Sequence, residues 1–118
     1  MAWARFAPAV SWAALIFWVS SRSHLPEPPF FFDGADKLLH AGIYAVLTAL
    51  LVWADLGRRA WLWIAVAALY GVSDEIHQGL VPLRHSDALD VLADTAGALV
   101  AGAGWLKLKG RLAIRSVL

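Results

Sequence analysis

Read from the N-terminus, the chain alternates long apolar runs with short polar joints. Apolar stretches cover about residues 2–19, 38–53, 60–78 and 88–105. A helix that crosses a bilayer needs about 20 mostly apolar residues, and the second and fourth stretches reach that length only with their polar ends included. The pattern predicts four membrane-spanning helices in an all-α integral membrane four-helix bundle, a single domain over residues 1–118. Arg5, the apolar run after it and Ser20-Ser21 imitate a signal peptide. The run is long for one and no A-x-A site follows, so it is read as a first span.

The first joint, SRSHLPEPPFFFDGAD, has three prolines and is expected to be extended rather than helical. Its Phe30-Phe31-Phe32 run either dips into the membrane interface or packs against helix ends. The tail LKLKGRLAIRSVL is open to two readings: a basic amphipathic segment on the inner leaflet, or a solvated tail that sets topology.

Composition agrees with the pattern. The chain has 118 residues, 60% of them hydrophobic and only 16% charged, where a soluble domain is about 25% charged. A chain this short cannot cover so much apolar surface with its own core, so lipid must cover the rest. No basic stripe with interleaved aromatics points to nucleic acid. Cysteine is absent, which excludes disulfides, thiol nucleophiles and cysteine-bound metals; no cofactor or metal site is expected.

Charge then orients the bundle. With four spans, both termini and the middle joint share one side, which carries Arg5, Arg58, Arg59, Lys107, Lys109, Arg111 and Arg115; the other side holds Arg22, Lys37 and Arg84. The excess of Lys and Arg marks the cytoplasmic side, so both termini are expected in the cytoplasm. Trp3, Trp53, Trp61, Trp63 and Trp105 fall at the same side, as an aromatic belt would.

That topology gathers the polar residues at the opposite face. The second span starts there with Asp36, Lys37, His40 and Tyr44, the third ends there with Asp74, Glu75, His77 and Gln78, and the fourth starts there with Arg84, Asp87, Asp90 and Asp94. Spacings of three and four put Asp36, His40 and Tyr44 on one stripe and Tyr70, Asp74 and Gln78 on another. On the fourth span a stripe of Asp87, Asp90 and Asp94 continues as Gly97, Ala101 and Gly104, small residues that let helix backbones approach. An outward-open cleft floored by close packing is the expectation, lined by Asp36, Lys37, His40, Asp74, Glu75, Gln78, Arg84, Asp90 and Asp94.

Acids outnumber bases in that group, so some carboxyls must be hydrated, protonated or paired with an outside cation. A plainer reading stands beside the functional one. Asp74 and Glu75 would brace Lys37 or Arg84, Asp87 would cap the fourth helix, Tyr44 and Tyr70 would pack with bonded hydroxyls, and His77 would brace the interface. Asp90 and Asp94 lie too deep for capping. Were the cleft catalytic, His40 and Glu75 would be the acid/base candidates and Arg84 a phosphate anchor.

Several of these residues also fall into a recognisable order: D-K-x-x-H at Asp36-Lys37 and His40, then Tyr44, D-E-x-x-Q at Asp74-Glu75 and Gln78, V-P-x-R at Val81-Pro82 and Arg84, and D-x-x-A-[ND]-x-x-G from Asp90 to Gly97. With the Ser20-Ser21 end of the first span, this resembles the VanZ-like membrane family from about Phe17 to Gly104. The sequence departs from the family at Leu83, where glycine is usual, at Asp94, commonly asparagine, and at Ala41, usually a bulky aromatic. The resemblance implies a small multi-pass protein of the bacterial cytoplasmic (inner) membrane. One member confers low-level resistance to teicoplanin, a lipid-tailed glycopeptide; the implied partners are membrane lipids and an amphipathic glycopeptide or lipid-linked precursor. Three functions compete at this stage: an envelope protein binding such a ligand, an intramembrane enzyme on a lipid-linked head group, and a proton- or cation-coupled permeation module. The sequence leaves the oligomeric state open.

Overall fold

The structure, a computed structural model, describes residues 2–23, 32 and 34–117. The three prolines of the joint, with Phe30 and Phe31, lie in residues 24–31, outside the described residues; Phe32 is exposed. A 3₁₀ turn, Ala2–Phe6, leads into α1 (Ala7–Ser20), followed by α2 (Ala35–Ala54), α3 (Ala60–Leu80) and α4 (Ala88–Val117). Pro8 sits in the first turn of α1, where its missing N–H costs no helical bond.

All four expected helices form, and each runs to or past its expected end. The largest difference is α4: in place of a helix ending near 105, it continues without a break for 30 residues, so the basic tail is helical. α1 with its preceding turn, α2 and α4 are long and apolar enough to cross a membrane. α3, at 21 residues, is long enough but not apolar enough, because Asp74, Glu75, His77 and Gln78 occupy its last third. It still runs antiparallel beside α4 for much of the same depth: Gly71 meets Asp94 near one end and Ile64 meets Gly102 towards the other.

The bundle buries a modest apolar core along with small and polar residues, and it exposes many large apolar side chains. The core holds Ala9, Ile16, Tyr44, Leu47, Leu51, Ile64, Ala67 and Ala98, while Leu69, Ile76, Leu92 and Val100 face outward. Lipid, unlike water, charges nothing for those outward side chains.

Close packing centres on α2 and α4, which share the most extensive interface. A Cβ at Gly97 would overlap the carbonyl of Ala41, and one at Gly102 would overlap Ile64. The expected stripe of small residues thus holds at Gly97 but not at Gly104, which has open space beside it. Gly102, on a different face of α4 from Gly104, is the glycine that meets α3.

Two leucines occupy left-handed backbone. Leu56 (φ 58°) ends α2, with Leu56 N–H donating to Trp53 O and Gly57 N–H to Val52 O; these are the paired bonds of a Schellman ending, where glycine is usual. Leu83 (φ 67°) follows Pro82 in a turn closed by Arg84 N–H on Val81 O at 3.2 Å. Proline at the second position and positive φ at the third is the type II pattern. The turn therefore keeps a glycine-like shape although the residue is leucine.

Candidate functional site

The antiparallel order brings the C-terminal ends of α1 and α3 together with the N-terminal ends of α2 and α4. Every residue named above for the cleft lies at that end, and the side chains meet in layers.

Lys37 forms the outermost layer. Its Nζ donates to Asp36 (2.8 Å), Asp87 (2.8 Å) and Asp90 (2.6 Å), so its three protons each have a carboxylate. Asp87 is the residue before α4, and its Oδ1 accepts from Leu89 N–H at 2.9 Å, the N-cap that its position suggested. Lys37 and this cap together hold the Asp87 carboxyl below its usual range.

His40 links the rim to the interior. Its Nδ1–H donates to Asp94 Oδ1 at 2.8 Å, and its Nε2 lies 3.6 Å from Asp90 Oδ2. Asp94 is fully buried, at 0% exposure. Gly71 makes room for it: a Cβ there would lie 2.9 Å from Asp94 Oδ2. Beside it, Tyr44 OH donates to Asp74 Oδ2 at 3.2 Å, and Thr48 Oγ1 donates to Tyr44 O at 2.8 Å. Below Thr48 the core is apolar.

The α3 side closes the layer. Glu75 Oε1 accepts the backbone N–H of Asp87, tying α3 to the start of α4. Gln78 Nε2 donates to Ser20 Oγ at 3.2 Å. His77 points elsewhere, bonded to Ser21 at 2.8 Å and stacked on Phe17, which is the bracing role expected of it. Tyr70 OH donates to Ala13 O at 2.7 Å, again a packing role.

Two expectations of bracing fail. Asp74 and Glu75 bond to neither Lys37 nor Arg84; their partners are Tyr44 and the Asp87 N–H. Arg84 instead donates from Nη1 to Arg22 O (2.9 Å) and Val19 O (3.4 Å). A guanidinium there adds a donor to the carbonyls at and just past the end of α1 and meets the negative end of its dipole. Gly71 and Ser20 went unrecognised as parts of the site. Gly71 was legible as the small member of the stripe Ile64, Ala67, Gly71, Asp74, Gln78, all buried.

The charge balance is uneven. Six carboxylates (Asp36, Asp74, Glu75, Asp87, Asp90, Asp94) gather around one lysine and one histidine. Glu75 Oε2 and Asp94 Oδ2 are buried with no hydrogen-bond partner, although buried polar atoms are nearly always paired. Among the described residues, no group of three or more histidine and acidic side chains is arranged to hold a metal ion. Chemically, the arrangement offers a carboxylate-held imidazole, unspent acceptors beside it, and a lysine that joins α2 to α4.

A family model described as VanZ/LLP1 matches residues 3–109, nearly the whole chain. No curated protein and no solved structure matches it. The chain belongs to the VanZ/LLP1 family, and with three helices suited to crossing a bilayer it is a membrane protein.

Proposed function

We propose that this VanZ/LLP1 protein works in the bacterial cytoplasmic membrane, with both termini in the cytoplasm and its polar end at the outer leaflet. There it binds the head group of an amphipathic molecule, and teicoplanin-type resistance is one outcome of that binding. The observation that carries this reading is the pair of unpartnered buried oxygens, Glu75 Oε2 and Asp94 Oδ2, in a site with more carboxylates than cations. Such acceptors favour a ligand that brings hydrogen-bond donors or positive charge. The excess of Lys and Arg at the other end supports the orientation.

Expression in a susceptible host tests it. The inhibitory concentration of a lipid-tailed glycopeptide should rise more than that of a non-lipidated one, and Glu75→Gln should reduce the difference. Equal changes, or none, would remove the antibiotic from the account.

One observation favours a second reading. His40 is held by Asp94 in the manner of a general base oriented by a carboxylate, which suits an enzyme acting on a lipid-linked head group. Lipid profiles with and without His40→Gln separate the two: a new or vanished lipid species supports catalysis, and unchanged lipids support binding. Proton or cation permeation finds less support, since Leu47, Leu51, Val52, Ile64 and Ala67 leave no polar path below Thr48.

A further inference from the structure

The end of the bundle away from the polar site has a chemistry of its own. Arg5, Arg58, Lys107, Lys109, Arg111 and Arg115 are exposed there and have no acidic partner among the described residues. The single acid at this end, Asp55, is already taken by Arg59 at 3.0 Å, which holds its carboxyl below the usual range.

Much of that charge rides on the final turns of α4. At 30 residues the helix is about 45 Å long, against a hydrocarbon core of about 30 Å. Gly57 packs on the Trp105 indole, so the α2–α3 turn marks how far the bundle reaches along α4, and the helix after Trp105 runs past it. On that extension Lys107, Arg111 and Arg115 recur every four residues and share a face. Leu108 and Leu112 form the neighbouring stripe, exposed in the bundle. A helix standing free in water would leave both leucines wet. Where the unbroken helix leaves the hydrocarbon it crosses the head-group layer, which covers part of the leucines and sets the three cations at head-group depth.

We propose that the Lys107–Arg111–Arg115 face of α4 is a binding surface for anionic phospholipid head groups. Charge complementarity selects that occupant, because each basic residue at an anionic membrane surface favours binding by about fivefold, from about 1 kcal/mol. The proposal is independent of the polar site: it concerns the opposite end of the molecule and needs no ligand there.

The test uses the full chain in phosphatidylcholine vesicles containing brominated phosphatidylglycerol or brominated phosphatidylcholine. Quenching of tryptophan fluorescence gives the relative affinity for the two lipids, and Trp3, Trp53, Trp61, Trp63 and Trp105 report from this end. Phosphatidylglycerol should be preferred, with the preference weakening as salt is raised. Arg111→Gln should lower the preference about fivefold, and K107Q/R111Q/R115Q should lower it by at least about tenfold. Lys109→Gln, on another face, should change it by less than about twofold. Equal affinity for the two lipids in the parent would overturn the proposal. So would a triple variant with undiminished preference, or a Lys109→Gln loss equal to that of Arg111→Gln, since either would deny the face its role.

Discussion

The imidazole of His40 on α2 and the carboxylate of Asp94 on α4 meet at 2.8 Å, with Asp94 fully enclosed. This pair is the deepest side-chain hydrogen bond between the two most closely packed helices among the described residues, and Asp94 keeps one oxygen unpartnered. Asp94→Asn keeps the shape of the side chain and retains an acceptor for His40. Its thermal stability in detergent should therefore stay within about 1 kcal/mol of the parent. Asp94→Leu removes the acceptor and should cost about 1–3 kcal/mol. The reverse order of stabilities would show that the contact does not hold the helices.

Gly97 and Gly104 look alike in the sequence and differ in the bundle. Gly97→Ala drives a methyl group into the Ala41 carbonyl, and a backbone cannot swing aside as a side chain can. A loss of about 1–3 kcal/mol or more is expected. Gly104→Ala meets open space and should be neutral or stabilising by up to about 1 kcal/mol. Unfolding in detergent measures both, and equal effects would contradict the packing described.

Leu56 and Leu83 both hold positive φ, and Leu83 is 70% exposed, so little packing offsets its strain there. Leu83→Gly should raise stability by about 1 kcal/mol, whereas Leu83→Ala keeps the strain and should not. A destabilised glycine variant would mean that the leucine side chain itself anchors the turn.

Acid should loosen the start of α4. Lys37 and the Leu89 N–H hold the Asp87 carboxyl below its ordinary value of 3.8. A depressed folded value adds stability that is fully present above the ordinary value and is lost as pH falls through the depressed one. The parent should lose stability from about pH 4 downward, and Asp87→Asn should lack that component. Identical acid profiles for parent and variant would contradict the Lys37–Asp87 contact.

Much of the site was legible because membrane helices make polar residues conspicuous. Asp36, His40, Asp74, Gln78, Asp90 and Asp94 stand out in apolar runs, and the alternating direction of the helices brings them to one end. The position of Asp87 just before the fourth helix also pointed to its cap, and the position of His77 off the Asp74 stripe to its bracing role. It could not pair the residues across helices. Whether Arg84 meets a carboxylate or the α1 carbonyls depends on the path of the 81–87 turn, and that path follows from a leucine in left-handed backbone. The α4 extension was hidden for a different reason. Lys107, Lys109 and Gly110 end the apolar pattern without ending the helix, since Lys is a good helix former and one glycine is tolerated.

The sidedness of the polar end is the claim on which the proposed function rests, and the absence of native cysteine makes it directly measurable. His85→Cys places a thiol at the exposed polar end, and Ser116→Cys places one on the exposed basic extension. On intact cells, a membrane-impermeant maleimide should label the cysteine at position 85 and leave the one at position 116 unreacted until the membrane is opened. Labelling of position 116 alone on intact cells would put the polar site in the cytoplasm and contradict the account.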